Sequence, residues 1–125
     1  MLSGRSAIVA FQRLLILAAL AAIPTRPLAV RAAEMSAAER YAADGGQTLG
    51  AANACGFDPE EIVIATKQVM DAARKRAAKV EERDAVQPSF VEGFKSGVEA
   101  LRSGQTTCID TRDQLTKIED GAVRQ

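Results

Sequence analysis

The sequence predicts an all-α protein, a small four-helix bundle closed by one disulfide once a leader has been removed. Three observations point there. Apolar residues recur at helical spacing, and no segment alternates with the period of two that a half-buried strand shows. Helix-start signals recur as S-A-A-E from Ser36, D-P-E-E from Asp58 and S-F-V-E from Ser89. The chain holds two cysteines, Cys55 and Cys108, and no histidine.

The leader comes first. A basic start, an apolar run over 14–23 and a helix-breaking stretch containing Pro24 and Pro27 follow in the order of a secretory signal peptide. Val30 and Ala32 place small residues three before and one before a cut, so cleavage is expected after Ala32, with Ala33 as the alternative. The apolar run is far short of the roughly 20 residues that span a bilayer, so no stable membrane insertion is expected after cleavage. The chain thus divides into a signal peptide over 1–32 and a single helical domain over 33–125, with periplasmic delivery expected and secretion as the alternative.

Removing the leader changes the charge. Sixteen acidic and sixteen basic residues balance in the full chain, but Arg5, Arg13, Arg26 and Arg31 leave with the leader and every acid stays. Twelve bases then face sixteen acids, a net charge of −4. An acidic domain lacks the surplus of Lys and Arg that phosphate contacts demand, so nucleic acid is not an expected partner.

The first helix opens at Ser36, whose hydroxyl can cap it while Glu39 reaches back. Tyr41, Gly45, Leu49 and Ala52 form its stripe, with a kink or break expected at Gly45-Gly46, and Cys55-Gly56 ends it. The second starts with Asp58 as N-cap, Pro59 at the first helical position and Glu60 and Glu61 in the first turn. Its expected inward face is Ile62, Ala65, Val69, Ala72, Ala73 and Val80, and it is read as one long helix to about Asp84. The third is capped from Ser89 and ends at Gly104, with Phe90, Phe94, Val98 and Leu101 on one face and a stripe of Gly93, Gly97, Ala100 and Gly104 beside it. A last helix is expected over 111–120, capped by Asp110, with Leu115 and Ile118 inward. The second and third helices would then form an antiparallel hairpin.

Export delivers Cys55 and Cys108 to an oxidising compartment, where a lone pair of thiols becomes a disulfide. Without histidine there is neither a four-ligand zinc set nor a base for a cysteine nucleophile. No phosphate loop or nucleophile elbow occurs, and the adjacent acids Glu60-Glu61 and Glu81-Glu82 point apart on a helix, so neither catalytic nor cofactor or metal residues are expected. The run Arg74-Lys75-Arg76 is followed closely by Glu81, Glu82 and Asp84 and reads as a solvated mixed face.

A protein partner is therefore expected, reached through binding. The candidate face is Phe90, Gly93, Phe94, Gly97, Val98 and Leu101, which serves either to pack the third helix closely on Tyr41 or the alanines of the second, or to floor a partner groove.

The size of the mature chain, its two cysteines 53 positions apart and its helical content resemble the acid-stress chaperones of the bacterial periplasm. That resemblance implies opening at low pH and exposure of apolar surface to clients. The stretch G-F-K-S-G-V-E-A-L from Gly93, followed by Cys108-Ile109-Asp110 and a short helix, is similar to helical periplasmic immunity proteins that block secreted cell-wall amidases. That implies an inhibitor-type module, or equally an accessory subunit of an envelope complex. The whole chain also looks like an uncharacterised group of small exported two-cysteine helical proteins of Gram-negative bacteria, a resemblance that implies no activity.

Overall fold

The structure is a computed structural model that describes residues 34–123. The expected leader over 1–32 and its cleavage point lie outside the described residues. The helices are α1 (Ala37–Ala54), α2 (Pro59–Lys75), the short α3 (Val80–Asp84), α4 (Val86–Arg102) and α5 (Cys108–Val123). No strand occurs among the described residues. The four long helices and a Cys55–Cys108 disulfide give the bundle that the sequence predicts.

α1 begins where the capping signal lies. The Ser36 hydroxyl accepts the Glu39 N–H at 3.1 Å and donates to the Glu39 carboxylate at 3.1 Å. The expected kink at Gly45-Gly46 is absent; α1 runs unbroken through both glycines, which are buried. Each is held by a neighbour. Val69 of α2 sits against Gly45 and the Phe90 backbone of α4 against Gly46, so packing offsets the roughly 1 kcal/mol of helix propensity that each glycine loses. α1 ends at Ala54 and is closed off by Cys55 and Gly56, whose φ of 77° belongs to the left-handed region that glycine enters most easily.

α2 starts as expected, with the Asp58 carboxylate accepting the Glu60 N–H at 3.0 Å. It stops at Lys75, nine residues short of the predicted end at Asp84. No helix-breaking residue stands there in the sequence; the stop lies beside the start of α1. At the far end of the bundle Ala73 packs with Ala38, Ala42 and Val86, and Ala38 stands one residue from the start of α1. Beyond Ala73 a straight helix would run past α1 into water. The chain instead breaks over 76–79, with Arg76 donating to the Ala72 carbonyl at 2.8 Å and its guanidinium 3.9 Å from the centre of the Tyr41 ring. Val80, expected inward, is 66% exposed on α3.

α4 begins at Val86, three residues before the capping signal expected from Ser89. Pro88 is accommodated because the third helical position needs no amide proton, and Ser89 lies inside the helix with its N–H on the Ala85 carbonyl at 3.1 Å. α5 likewise begins early. Thr107, not Asp110, is its cap: the Thr107 hydroxyl accepts the Asp110 N–H at 3.1 Å. The helix therefore opens at Cys108 and continues to Val123, past the expected limits of 111–120.

The core is thin and alanine-rich. Leu49, Ala52, Ile62, Ala65, Val69 and Leu115 form its larger part, with Tyr41, Phe57, Phe90, Phe94 and Ile118 packed at its margin. Cys55 caps the end of α1 and Cys108 opens α5, with their Cα atoms 5.8 Å apart. The bridge thus pins α5 to α1 at one end of the bundle.

Candidate functional site

The face singled out on α4 is already occupied. Gly93 lies against the backbone of Ala43, and Gly97 against that of Gln47. Reciprocally, Gly46 and Gly50 of α1 lie against the backbones of Phe90 and Phe94. The pairs advance together along both chains, so α1 and α4 run parallel, and each contributes two glycines four residues apart to the seam. Small residues at such positions let helix backbones approach closely. Of the two expected neighbours, Tyr41 of the first helix or the alanines of the second, the helix that fills the stripe is the one that carries Tyr41, α1, through the backbones of Ala43 and Gln47, and α4 packs only lightly on α2. Phe90 and Phe94 are half-buried, with ring centres 6.3 Å apart; Val98 and Leu101 are half-buried beyond them.

This close pairing leaves a different surface open. α4 packs on α1, and α5 packs on α1 and α2, but α4 and α5 do not pack along each other although they are consecutive. Their seam is a groove of about 510 Å³ whose floor is α1. Asp44, Gln47, Thr48 and Ala51 come from α1, Ala100 from α4, Gln105 and Thr106 from the connector and Gln114 from α5. The Thr48 hydroxyl reaches the Gln114 side-chain oxygen at 3.3 Å and the Asp44 carbonyl at 3.4 Å. That leaves the Gln114 amide protons for a third party. Within the groove Asp44 carries the only charge, and none of the four described aromatic residues lines it.

Two smaller features lie on the α2–α5 side. Tyr41, Gln68, Asp71, Ala72, Lys75, Ile118 and Gly121 line a hollow of about 220 Å³, and the Gln68 side-chain oxygen is buried without a hydrogen-bond partner. Nearer the disulfide, Arg112 of α5 pairs with Glu61 of α2 and lies 4.1 Å over the Phe57 ring. The hydrogen bond from Arg112, then one from Glu119, holds the Glu61 carboxyl below the ordinary glutamate value. Burial first, then the hydrogen bond and charge of Glu61, push Glu119 up.

Of the residues singled out in the sequence, Cys55 and Cys108 are joined and the glycines of α4 form a helix seam. The groove residues went unnoticed. Their one sequence signal is the i, i+3, i+4, i+7 spacing of Asp44, Gln47, Thr48 and Ala51, which puts them on one helix face. No group of three or more His, Cys, Asp or Glu suited to a metal ion occurs among the described residues, and no helix among them is long and apolar enough to cross a membrane. Compared with protein-family models, curated proteins and solved structures, the chain matches none.

Proposed function

We propose that the protein is an exported, non-catalytic binding protein that works through the groove between α4 and α5. One observation carries this reading: two consecutive helices each pack on α1 and leave the space between them open. The side chains of Gln47, Gln105 and Thr106 enter no hydrogen bond there, so the groove offers polar groups to a ligand. Its volume lies within the roughly 300–1,000 Å³ of small-ligand pockets, and both walls are held from behind by the glycine seam and the disulfide. Export rests on the leader pattern and the disulfide, which forms and persists in oxidising compartments.

A photo-crosslinking residue at Gln105 tests the site in living cells, with Lys67 on the exposed face of α2 as the control position. Adducts at Gln105 and none at Lys67 are the expected result. Equal labelling at both positions, or none at either, overturns the groove as the working surface.

An acid-responsive chaperone remains the second reading, favoured by the Arg112–Glu61 pair that ties α5 to α2. Protonating Glu61 loosens that tie. Dye binding and near-UV spectra on acidification to about pH 2.5 decide it, because an opened compact state binds dye and loses its near-UV signal. No change in either removes this reading.

A further inference from the structure

We infer that the α4–α5 groove takes an extended peptide segment bearing a lysine or arginine. This rests on the binding-protein reading above and names the chemistry of its ligand. The groove presents three side-chain amides, from Gln47, Gln105 and Gln114. A carboxamide offers an N–H donor and a C=O acceptor side by side, the complement of a peptide unit, which offers the same two groups in reverse. The Thr48 hydroxyl, whose one proton is shared between the Gln114 oxygen at 3.3 Å and the Asp44 carbonyl at 3.4 Å, faces the oxygen of that amide, and the amide N–H groups donate to no protein group.

Two methyl groups, of Ala51 and Ala100, lie among these amides and let a backbone approach the floor. A saccharide would use the same polar groups, but no aromatic ring lines the groove to stack against a sugar face. A free anion has nothing to meet: no Lys or Arg lines the groove, and Asp44 would repel it.

The charge of the site selects the side chain. Asp44 is exposed at the groove and has neither a side-chain hydrogen bond nor an ion pair, so it can receive a cation from an incoming segment. The surroundings favour the same sign, with sixteen acids against eleven bases over residues 34–123. A basic segment is therefore steered toward the protein as well as held by it.

Nuclear magnetic resonance titration of the ¹⁵N-labelled protein tests the assignment with three probes: a capped peptide Ac-Ala-Ala-Lys-Ala-Ala-NH2, its glutamate counterpart, and an oligomer of N-acetylglucosamine. The lysine peptide is expected to shift the side-chain amide signals of Gln47, Gln105 and Gln114 saturably, with a dissociation constant of about 1 mM, the weak end suited to a short flexible ligand. The glutamate peptide should bind at least about threefold more weakly, and Asp44→Asn should erase that difference by removing the charge.

Gln47→Ala with Gln114→Ala should weaken the lysine peptide by about tenfold, the scale of one or two lost hydrogen bonds. If that double variant unfolds, Asp44→Asn alone still decides, since its side chain holds no other group. Saccharide shifts in the groove without peptide shifts overturn the peptide assignment and leave the groove as a binding site. Shifts with the lysine peptide that do not saturate, or that fall outside the groove, overturn the assignment outright. Failure of the crosslinking at Gln105 overturns the groove itself.

Discussion

Gly97 of α4 sits directly on the carbonyl group of Gln47 of α1, so that a methyl group at position 97 would stand 2.7 Å from the Gln47 carbonyl carbon and closer still to its oxygen. The same relationship repeats one turn earlier between Gly93 and Ala43. Because the opposing atoms are backbone, no rotamer change relieves the clash. The helix pair must separate or bend.

That geometry sets two opposed effects against each other in Gly97→Ala. Helix propensity favours alanine by about 1 kcal/mol. Overpacking a seam with no room costs about 1–3 kcal/mol, more where backbone must move. The clash wins, and the melting temperature of Gly97→Ala is expected to fall. Gly121→Ala is the control, since nothing lies within 4 Å of a methyl group there. Its stability should hold or rise by up to about 1 kcal/mol. If thermal unfolding ranks the two variants equally, α1 and α4 are not in close contact in solution.

The disulfide closes a loop over 53 positions of sequence. Constraining the unfolded chain to that loop is worth about 4 kcal/mol in the chain-entropy view. The largest fully buried side chains are only Leu49, Leu115, Val69, Val86 and Thr111, so little else compensates. Urea unfolding of the Cys55→Ser, Cys108→Ser protein should show a midpoint far below that of the oxidised protein, with α5 the first helix to lose protection in hydrogen exchange. A loss under about 1 kcal/mol would mean that α5 is held by its side chains alone.

Capping gives a paired test of where α4 and α5 begin. Thr107 holds the Asp110 N–H at 3.1 Å, so Thr107→Ala should cost about 1 kcal/mol. Ser89 sits one turn inside α4 with its hydroxyl on no cap, and Ser89→Ala should change stability by no more than about 0.5 kcal/mol. Were Ser89 the cap its sequence suggests, both substitutions would cost the same. Chemical denaturation of the two single variants separates these outcomes.

The contrast between Ser89 and Ser36 shows what the sequence could disclose. Ser36 and Asp58 cap as their signals predict because the residue directly before each, Met35 and Phe57, lies outside any helix and the choice is local. At Ser89 the same signal loses, because Val86 is needed in the core beside Ala38 and Ala73 and brings the helix start forward with it. The end of α2 is likewise not written in its own sequence, which is helix-favouring past Lys75: the chain turns there so that Ala77 and Val86 join Ala38, Ala42 and Ala73 at that end of the core. The glycines of α4 were legible as a close-packing stripe, whereas their partner stripe, Gly46 and Gly50, read as a defect in α1 until the two were placed together. Of the groove, only the shared helix face of Asp44, Gln47, Thr48 and Ala51 was legible. The groove is made by what α4 and α5 fail to do, and its residues share no chemistry that spacing alone would flag.

The paired acids at Glu61 and Glu119 give stability a pH dependence whose sign follows from their opposite shifts. Glu119 is raised, by burial first and then by Glu61, so its contribution is present below the unfolded value and lost as pH rises through the folded one. Glu61 is lowered, by Arg112 first, so its contribution is present above the unfolded value and lost as pH falls through the folded one. Descending from neutral pH, protonation of Glu119 strengthens the pair before protonation of Glu61 releases Arg112. The two together should place a local maximum of stability near the ordinary glutamate value, at about pH 4 to 5. The amplitude is small, since exposed pairs contribute up to about 1 kcal/mol. Glu119→Gln removes the rising limb and should leave the neutral-pH protein as stable or slightly more so, because glutamine donates to Glu61 without a charge. Glu61→Gln removes the falling limb and lowers stability at neutral pH, an effect that shrinks as pH falls through the lowered value of Glu61. Melting curves of the three proteins across this range should therefore diverge at neutral pH and converge in acid. Parallel curves at every pH would mean that α2 and α5 are not joined through these carboxylates.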